Sequence, residues 1–429
     1  MMGFVVRRFF LAALLVAMCV AQPVQKFPVL KELPAEELFR VEEKSKPFLL
    51  ECIVEGADSQ GIKFSWQKDG KVFDHSSRHD IVQRKNEGSL VFLKPTPEDE
   101  GQYQCFAESD AGKASSRLVS VRRTYLNVPK VIPQKHKPVE GKPYKLDCPM
   151  PEAYPKPTIV WMYQASNDPS ISHTVLDRRI TTGPDGTLYF SSMSQEDVSK
   201  GFKFVCQATS PALDAPVSLA EHFIEGLEAN NKKDGELVAQ YVSPDMTVRA
   251  GEPTFIYCIY GGTPLLPPDY TKDGKNVNGD DPGERVTRHN RSAGKRLLIR
   301  EVMPEDQGKY TCKVNNGVGK PQEHSMVLTV ESVPRFSKKP EKQIIAKEGE
   351  DVTIPCQVTG IQEPKLSWTY NAKALTPSDR ISISQKSEKQ LSAADLTIKN
   401  IKKSDKGYYG CKAVNQLGDV YSEVLVHVT

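Results

Sequence analysis

Cysteines are the residues whose number and spacing carry the clearest chemistry in this chain of 429 residues. Cys19 lies in the apolar N-terminal segment, and eight more follow it: Cys52, Cys105, Cys148, Cys206, Cys258, Cys312, Cys356 and Cys411. Taken in sequential pairs, these eight are 53, 58, 54 and 55 residues apart. An even number of cysteines suits an oxidising compartment, and this spacing is too wide for a zinc knuckle. The sequence therefore predicts four disulfides, each bridging the two sheets of one β-sandwich.

A basic segment from Arg285 to Arg300 offers a second kind of chemistry, the binding of anions, because no acidic residue interrupts it. Six cations in it are our candidates for contacting phosphate or carboxylate groups: Arg285, Arg288, Arg291, Lys295, Arg296 and Arg300. Guanidinium groups fit such anions bidentately. If Leu297 and Ile299 face a core, strand alternation turns Arg296 and Arg300 outward. The alternative is a solvated hairpin in which one arginine has a structural role.

The same segment contains a candidate modification site. Asn290, Arg291 and Ser292 form the only N-glycosylation sequon of the chain. A glycan on Asn290 would stand on an exposed turn and would partly shield the basic segment.

Enzymatic chemistry finds no support in the sequence. The eight histidines are scattered, and neither a paired metal-ligand motif, a glycine-rich phosphate loop nor a nucleophile elbow occurs. We therefore predict no catalytic residue, no metal site, no cofactor and no enzymatic activity. The formal net charge of +3 argues against nucleic-acid binding and leaves only local anion sites.

The N-terminus has the features of a secretory signal peptide. Arg7 and Arg8 precede the apolar run from Phe9 to Ala17, and small residues stand before a cleavage point after Ala21. No later segment is apolar enough to span a bilayer or to serve as a lipid-anchor signal. We expect the mature protein to be secreted and free in an extracellular fluid.

A repeated pattern surrounds the cysteines. Trp66, Trp161 and Trp368, the only tryptophans, lie 14, 13 and 12 residues after the first cysteine of their pairs. Three units also repeat the same six positions before the second cysteine: Leu90, Phe92, Asp99, Gly101, Tyr103 and Cys105; Leu297, Ile299, Asp306, Gly308, Tyr310 and Cys312; Leu396, Ile398, Asp405, Gly407, Tyr409 and Cys411. The alternation of apolar residues is that of strands with one face turned inward.

Two units depart from this pattern. Phe204 replaces the tyrosine in the second unit, where we expect an unusual loop before the strand that carries Cys206. Tyr270 stands where the third unit should have a tryptophan, so its hydroxyl must find a partner or reach solvent. We expect the third core to be the least stable of the four. The aspartate of the repeat can pair with an upstream arginine, as Asp306 with Arg285.

These motifs resemble the immunoglobulin superfamily, in which the tryptophan packs on the disulfide and the tyrosine forms a tyrosine corner. The resemblance implies an all-β chain of four tandem immunoglobulin-like sandwiches of the I-set type. We place the segments as follows: signal peptide 1–21, domain 1 at 22–122, domain 2 at 123–225, a linker at 226–236, domain 3 at 237–331 and domain 4 at 332–429. The linker is long enough for the chain to double back into a horseshoe, as in the first four domains of neural adhesion molecules, and the alternative is a flexible rod.

Several segments, among them EGSLVFLKP, AYPKPTIVW and KSDKGYYGC, are similar to the hemolin family of moth haemolymph proteins. That resemblance implies an infection-induced humoral factor that binds bacterial lipopolysaccharide and lipoteichoic acid, contacts haemocytes and modulates their aggregation. Calcium-dependent self-association is also implied, although no calcium-binding loop is visible. The alternative function is a homophilic or heterophilic modulator of cell adhesion.

Overall fold

The fold is described here from a computed structural model, which covers residues 29–41, 46–55, 59–175, 177–231, 235–279, 281–388 and 390–429. The predicted signal peptide at 1–21 and part of the predicted linker, 232–234, lie outside the described residues. The described chain consists of β-strands and five single-turn 3-10 helices: Pro97–Asp99, Gln195–Asp197, Asn290–Ser292, Pro304–Asp306 and Lys403–Asp405. None of these helices has the length or the apolar character needed to cross a membrane.

Domain 1 is a sandwich of two sheets. Its strands are β1 (Val29–Leu30), β2 (Glu36–Arg40), β3 (Phe48–Leu50), β4 (Val54–Glu55), β5 (Lys63–Lys68), β6 (Lys71–Val72), β7 (Ile81–Gln83), β8 (Leu90–Phe92), β9 (Gly101–Ser109), β10 (Gly112–Ser115) and β11 (Val119–Leu126). One sheet has the order β3-β8-β7, and the other has the order β2-β11-β9-β5-β6 with β10 paired to β9. Strand β1 pairs with β4.

Domain 2 repeats this arrangement. Its strands are β12 (Gln134–His136), β13 (Tyr144–Leu146), β14 (Ala153–Tyr154), β15 (Thr158–Ala165), β16 (Ser172–Thr174), β17 (Ile180–Thr182), β18 (Leu188–Phe190), β19 (Phe202–Thr209) and β20 (Val217–Ile224). The sheets are β13-β18-β17 and β12-β20-β19-β15-β16. Strand β14 pairs with Tyr125 and Leu126 at the end of β11, so this strand runs on from the sheet of domain 1 into the predicted bounds of domain 2.

Domains 3 and 4 follow the same plan. Domain 3 contains β21 (Val238–Val242), β22 (Met246–Arg249), β23 (Thr254–Gly261), β24 (Asp269–Lys272), β25 (Lys275–Asn276), β26 (Val286–Arg288), β27 (Arg296–Ile299), β28 (Gly308–Val314) and β29 (Gln322–Glu331). Domain 4 contains β30 (Arg335–Lys338), β31 (Gln343–Ala346), β32 (Val352–Ile354), β33 (Gln357–Thr359), β34 (Lys365–Tyr370), β35 (Lys373–Ala374), β36 (Ile381–Glu388), β37 (Leu391–Ile398), β38 (Gly407–Asn415) and β39 (Gly418–Val428). The second sheets are β22-β29-β28-β24-β25 and β31-β39-β38-β34-β35.

Each sandwich has its own core, centred on a disulfide between its sheets. The bonds join Cys52 to Cys105, Cys148 to Cys206, Cys258 to Cys312 and Cys356 to Cys411, with Cα–Cα distances of 6.3, 6.0, 6.5 and 6.3 Å. The repeated leucine, phenylalanine and isoleucine positions before the second cysteine are buried beside these bonds.

The aromatic residue on each disulfide is anchored by one hydrogen bond. Trp66 Nε1 donates to the Gly88 carbonyl at 2.6 Å, and the two other tryptophans make the same kind of bond. Tyr270, which is fully buried, places its hydroxyl 3.0 Å from the Gly294 carbonyl. The tyrosine therefore replaces the tryptophan in this bond as well as in the core, and its hydroxyl has the partner that burial demands.

The turn before strand F, the strand that carries the second cysteine, is held by an arginine–aspartate pair in all four domains. The pairs are Arg78 with Asp99, Arg179 with Asp197, Arg285 with Asp306 and Arg380 with Asp405. Tyrosine corners reinforce this turn in domains 1, 3 and 4, where each tyrosine hydroxyl donates to the aspartate carbonyl at 2.9 Å. In domain 2, Phe204 packs on Phe190 and Tyr163 instead, and the turn lacks that bond.

The chain doubles back after domain 2. Glu228 still belongs with domain 2, since it forms a bridge with Val139. Gln240 Nε2 in domain 3 donates to the carbonyls of Tyr144 and Phe190 in domain 2, both at 3.0 Å. The predicted four-domain I-set architecture, bent between domains 2 and 3, is confirmed.

Domain 1 consequently packs against domain 4. Ala107, Ala111 and Ala114 of domain 1 form an apolar cluster with Tyr408 and Leu425 of domain 4. Around this cluster, the Ser115 N–H donates to the Glu423 carboxylate at 3.0 Å, and Arg117 donates to the Asp419 carbonyl at 2.8 Å. Two exposed ion pairs, Lys339 with Glu32 and Lys342 with Glu55, complete the contact.

Candidate anion-binding cleft between domains 2 and 3

The basic segment folds as a hairpin at the contact with domain 2. Strand β26 leads into the helix Asn290–Ser292, and left-handed backbone at Ala293 and Gly294 turns the chain into β27. Leu297 and Ile299 are fully buried, so Arg296 lies on the outer face of its strand. This outer face is turned towards domain 2 and forms one wall of a cleft of about 490 Å³.

Arg291 and Arg296 are the two predicted anion-binding residues that line this cleft. Arg291 is exposed. Arg296 is half-buried, with its guanidinium 5.0 Å from the ring centre of Phe255 and its Nη2 3.2 Å from Nδ1 of His289. Its Nε is buried without a protein partner among the described residues.

His289 is held in its neutral form beside these arginines. Burial and the positive charges of Arg296, Arg291 and Arg300 lower the pKa of His289 to about 4. A neutral ring can accept the hydrogen bond from Arg296 and thereby hold the guanidinium in place. The ring therefore orients Arg296 without adding a charge at neutral pH.

Lys295 was expected to face an anion, and this prediction is wrong. The side chain is 1 % exposed, and its Nζ donates to the Arg178 carbonyl at 2.6 Å and to Thr181 Oγ1 at 3.3 Å, both in domain 2. Because the turn at Ala293 and Gly294 brings Lys295 directly under domain 2, its amine is used to join the domains. Burial, with the nearby Arg296, Arg178 and Arg179, lowers its pKa to about 7.

The remaining predicted cations lie away from the cleft or are already engaged. Arg285 forms the structural pair with Asp306 at 2.6 and 2.9 Å. Arg288 lies 3.5 Å from the Asp269 carboxylate. Arg300 is exposed and donates to the backbone carbonyls of Glu284 and Pro282. Within the basic segment, Arg291 and Arg296 therefore line the cleft, whereas Arg285, Arg288 and Arg300 make contacts inside domain 3.

Domain 2 contributes residues that the sequence did not reveal as part of this site. Lys156 adds a third cation to the lining, Asp177 adds one carboxylate, and Met150, Pro157 and Val160 give an apolar surface. The signal that could have pointed to a covered face is the alternation at β23, where Phe255 and Tyr257 are apolar on the side opposite to the buried core residues. With three cations against one carboxylate, the cleft carries a local positive charge.

The predicted glycosylation residue lies at the rim of this cleft. Asn290 is exposed, and its neighbours His289, Arg291 and Ser292 line the cleft. Within the described ranges, no group of three or more His, Cys, Asp or Glu side chains is placed to hold a metal ion.

Comparisons with known proteins place this geometry in a family. The profile of the immunoglobulin I-set domain matches residues 39–119, 238–330 and 334–428. Hemolin of Manduca sexta is 56 % identical over 415 residues, which cover 96 % of this chain and 97 % of that protein. The chain belongs to the hemolin family. The crystal structure of the insect immune protein hemolin superposes with a TM-score of 0.87 at 51 % identity, covering 94 % of this chain and all of that one.

The hemolin family is itself related to adhesion molecules. Neuroglian of Drosophila melanogaster is 37 % identical over 444 residues, which cover 97 % of this chain but 32 % of neuroglian. This hemolin-family chain is thus an insect immune protein of the immunoglobulin superfamily, and it acts by binding and not as an enzyme.

Proposed function

We propose that this chain recognises anionic components of bacterial surfaces, lipopolysaccharide and lipoteichoic acid, by holding their phosphate groups in the cleft between domains 2 and 3. The observation that carries the proposal is the charge of the cleft lining, in which Lys156, Arg291 and Arg296 face one carboxylate, that of Asp177. The apolar wall from domain 2 suits the lipid part of such molecules.

The proposed setting is the haemolymph. The signal-peptide pattern at 1–21 supports secretion, and the membership in the hemolin family supports a role in immunity. Contact with haemocytes and modulation of their aggregation belong to the same proposal, because a protein that binds both microbe and cell can bring the two together.

The test is a binding series with purified protein, lipopolysaccharide and lipoteichoic acid over increasing salt. The double variant Arg291→Ser and Arg296→Ser is compared with wild type and with Arg300→Ser, which removes a cation from the same hairpin outside the cleft. Loss of two charge-assisted contacts should weaken binding about 100-fold, whereas Arg300→Ser should change it little. Equal binding by all three proteins, or binding that salt does not weaken, would refute the proposal.

A second candidate function is adhesion through self-association, with or without calcium. The relation to neuroglian favours it, and the solved hemolin is described as having implications for homophilic adhesion. Sedimentation of the wild type over a concentration series, with calcium or with a chelator, tests this function independently of anion binding. A strict monomer under both conditions would count against it.

A further inference from the structure

Strand β36 of domain 4 is an unusually long free edge. The strands at the equivalent position in the other domains, β7, β17 and β26, have three residues each, whereas β36 has eight. It pairs with β37 on one side, and no strand in the described part of the chain pairs with its other side. All side chains from Ser384 to Glu388 are exposed, so this half of the strand extends beyond the sandwich.

The backbone groups on the outer side of β36 can be assigned from the ladder. The Lys399 N–H donates to the Arg380 carbonyl at 2.8 Å, and bonded pairs alternate along antiparallel strands. Residues 382, 384, 386 and 388 therefore bond inward to β37, while Ile383, Gln385 and Ser387 direct their N–H and C=O groups to the free edge. Three donors and three acceptors are thus presented in a row.

Natural sheets protect such edges with charged side chains, above all lysine, with proline, bulges or inward-pointing charges, or with a covering loop. Strand β36 contains no proline, its ladder with β37 runs from Ile381 to Glu388 without a register shift, and Lys386 is its one basic residue. Its charged residues are Lys386 and Glu388, and a long, regular edge with so few protective features is a template for pairing with another extended chain.

We propose that β36 is a self-association edge, at which two copies of this chain pair their β36 strands antiparallel about a two-fold axis at Gln385. In this register Ile383 bonds with the copy's Ser387, Gln385 bonds with its own equivalent, and all six outward backbone groups are satisfied. Ser384 faces Lys386 and Ser382 faces Glu388, so no charge stands directly opposite a like charge. The interface is isologous, as closed dimers require.

This inference gives a place to the self-association named above as a second function, and it does not depend on anion binding. The proposed edge is separate from the surface of domain 4 that packs on domain 1. That surface belongs to the sheet of β38 and β39, whereas β36 belongs to the other sheet of domain 4.

Disulfide trapping tests the register directly. In the variant Gln385→Cys the two introduced thiols would lie directly opposite each other, at a Cα separation of about 5.5 Å, which suits a disulfide. Mild oxidation of the full chain should then give a covalent dimer that a reductant separates. Val72→Cys is the control, since Val72 is 81 % exposed on a different short edge strand and should give little dimer under the same conditions.

A second variant tests the backbone bonds. Gln385→Pro removes an outward N–H while leaving the inward ladder to β37 intact, a placement that edge strands tolerate. It should raise the dissociation constant of the dimer at least about tenfold in sedimentation, because two of the six bonds are lost. Equal trapping of the two cysteine variants, or undiminished dimerisation of Gln385→Pro, would overturn the proposal. Dimerisation that persists while Gln385→Cys is not trapped would leave self-association in place but assign it to another surface.

Discussion

Lys295 is the residue whose ionisation is most closely tied to the contact between domains. Its amine is inserted into domain 2, where two oxygens accept its hydrogen bonds, and its pKa falls from 10.5 to about 7. When the domains separate, the amine returns to water and binds its proton more tightly. Because the separated form gains this proton first, the contact loses stability as the pH falls from 10.5 towards 7 and changes little below that.

We therefore predict that the contact between domains 2 and 3 is more stable at pH 9 than at pH 7. The difference attributable to Lys295 should be about 1.4 kcal/mol for each pH unit in this range. Thermal unfolding of wild type and Lys295→Met at both pH values checks this, since methionine fills similar space without a titrating group. A variant that retains the full pH dependence of the wild type would contradict the assignment.

Tyr270 offers a second prediction at this scale. Its hydroxyl is buried and bonded to Gly294, so Tyr270→Phe leaves a buried carbonyl without its donor. The variant should lower the unfolding free energy of domain 3 by about 1–3 kcal/mol. Denaturant unfolding followed by a probe in domain 3 measures the change, and unaltered stability would show that the hydroxyl contributes nothing. The expectation that domain 3 has the least stable core stays a prediction.

At the scale of structural elements, the turn before strand F is secured differently in domain 2. Domain 4 holds it with Arg380 and with the Tyr409 corner, whereas the turn of domain 2 has the pair of Arg179 with Asp197 but a phenylalanine at the corner position. Arg179→Met should therefore destabilise its domain more than Arg380→Met destabilises domain 4, by roughly 1 kcal/mol, the value of one hydrogen bond. Limited proteolysis and thermal unfolding of both variants compare the two. Equal losses would mean that the tyrosine corner adds no stability to this turn.

Elements also show what the sequence could and could not reveal. The disulfides, the strand alternation and the arginine–aspartate pairs follow from local spacing, because each depends on residues within one sandwich. The burial of Lys295 depends on its hydrogen bonds to Arg178 and Thr181, which lie in another domain and more than a hundred residues away in sequence. Alternation identifies the outer face of a strand, but it cannot show whether a neighbouring domain covers that face. The sequence therefore predicts only the domain 3 residues of the candidate anion site and does not predict the cleft.

At the scale of the whole molecule, the closed shape depends on residues specific to one contact. Tyr408 is buried against domain 1, while the equivalent positions in the F strands of domains 1 and 3 carry Gln102 and Lys309. Tyr408→Gln should thus loosen the contact between domains 1 and 4 without unfolding domain 4. We expect small-angle scattering to show a larger radius of gyration for the variant and unchanged thermal unfolding of domain 4. A variant as compact as the wild type would show that the polar contacts around Ser115 and Glu423 suffice.

The central claim is that the doubled-back shape creates the anion site, since the cleft needs walls from both domain 2 and domain 3. The most direct measurement is hydrogen exchange of the full chain with and without deacylated lipopolysaccharide, which carries the phosphates in soluble form. We predict new protection in two separate stretches, 288–296 in domain 3 and 156–161 in domain 2. Protection confined to domain 3, or lying outside both stretches, would contradict a site shared between the two domains.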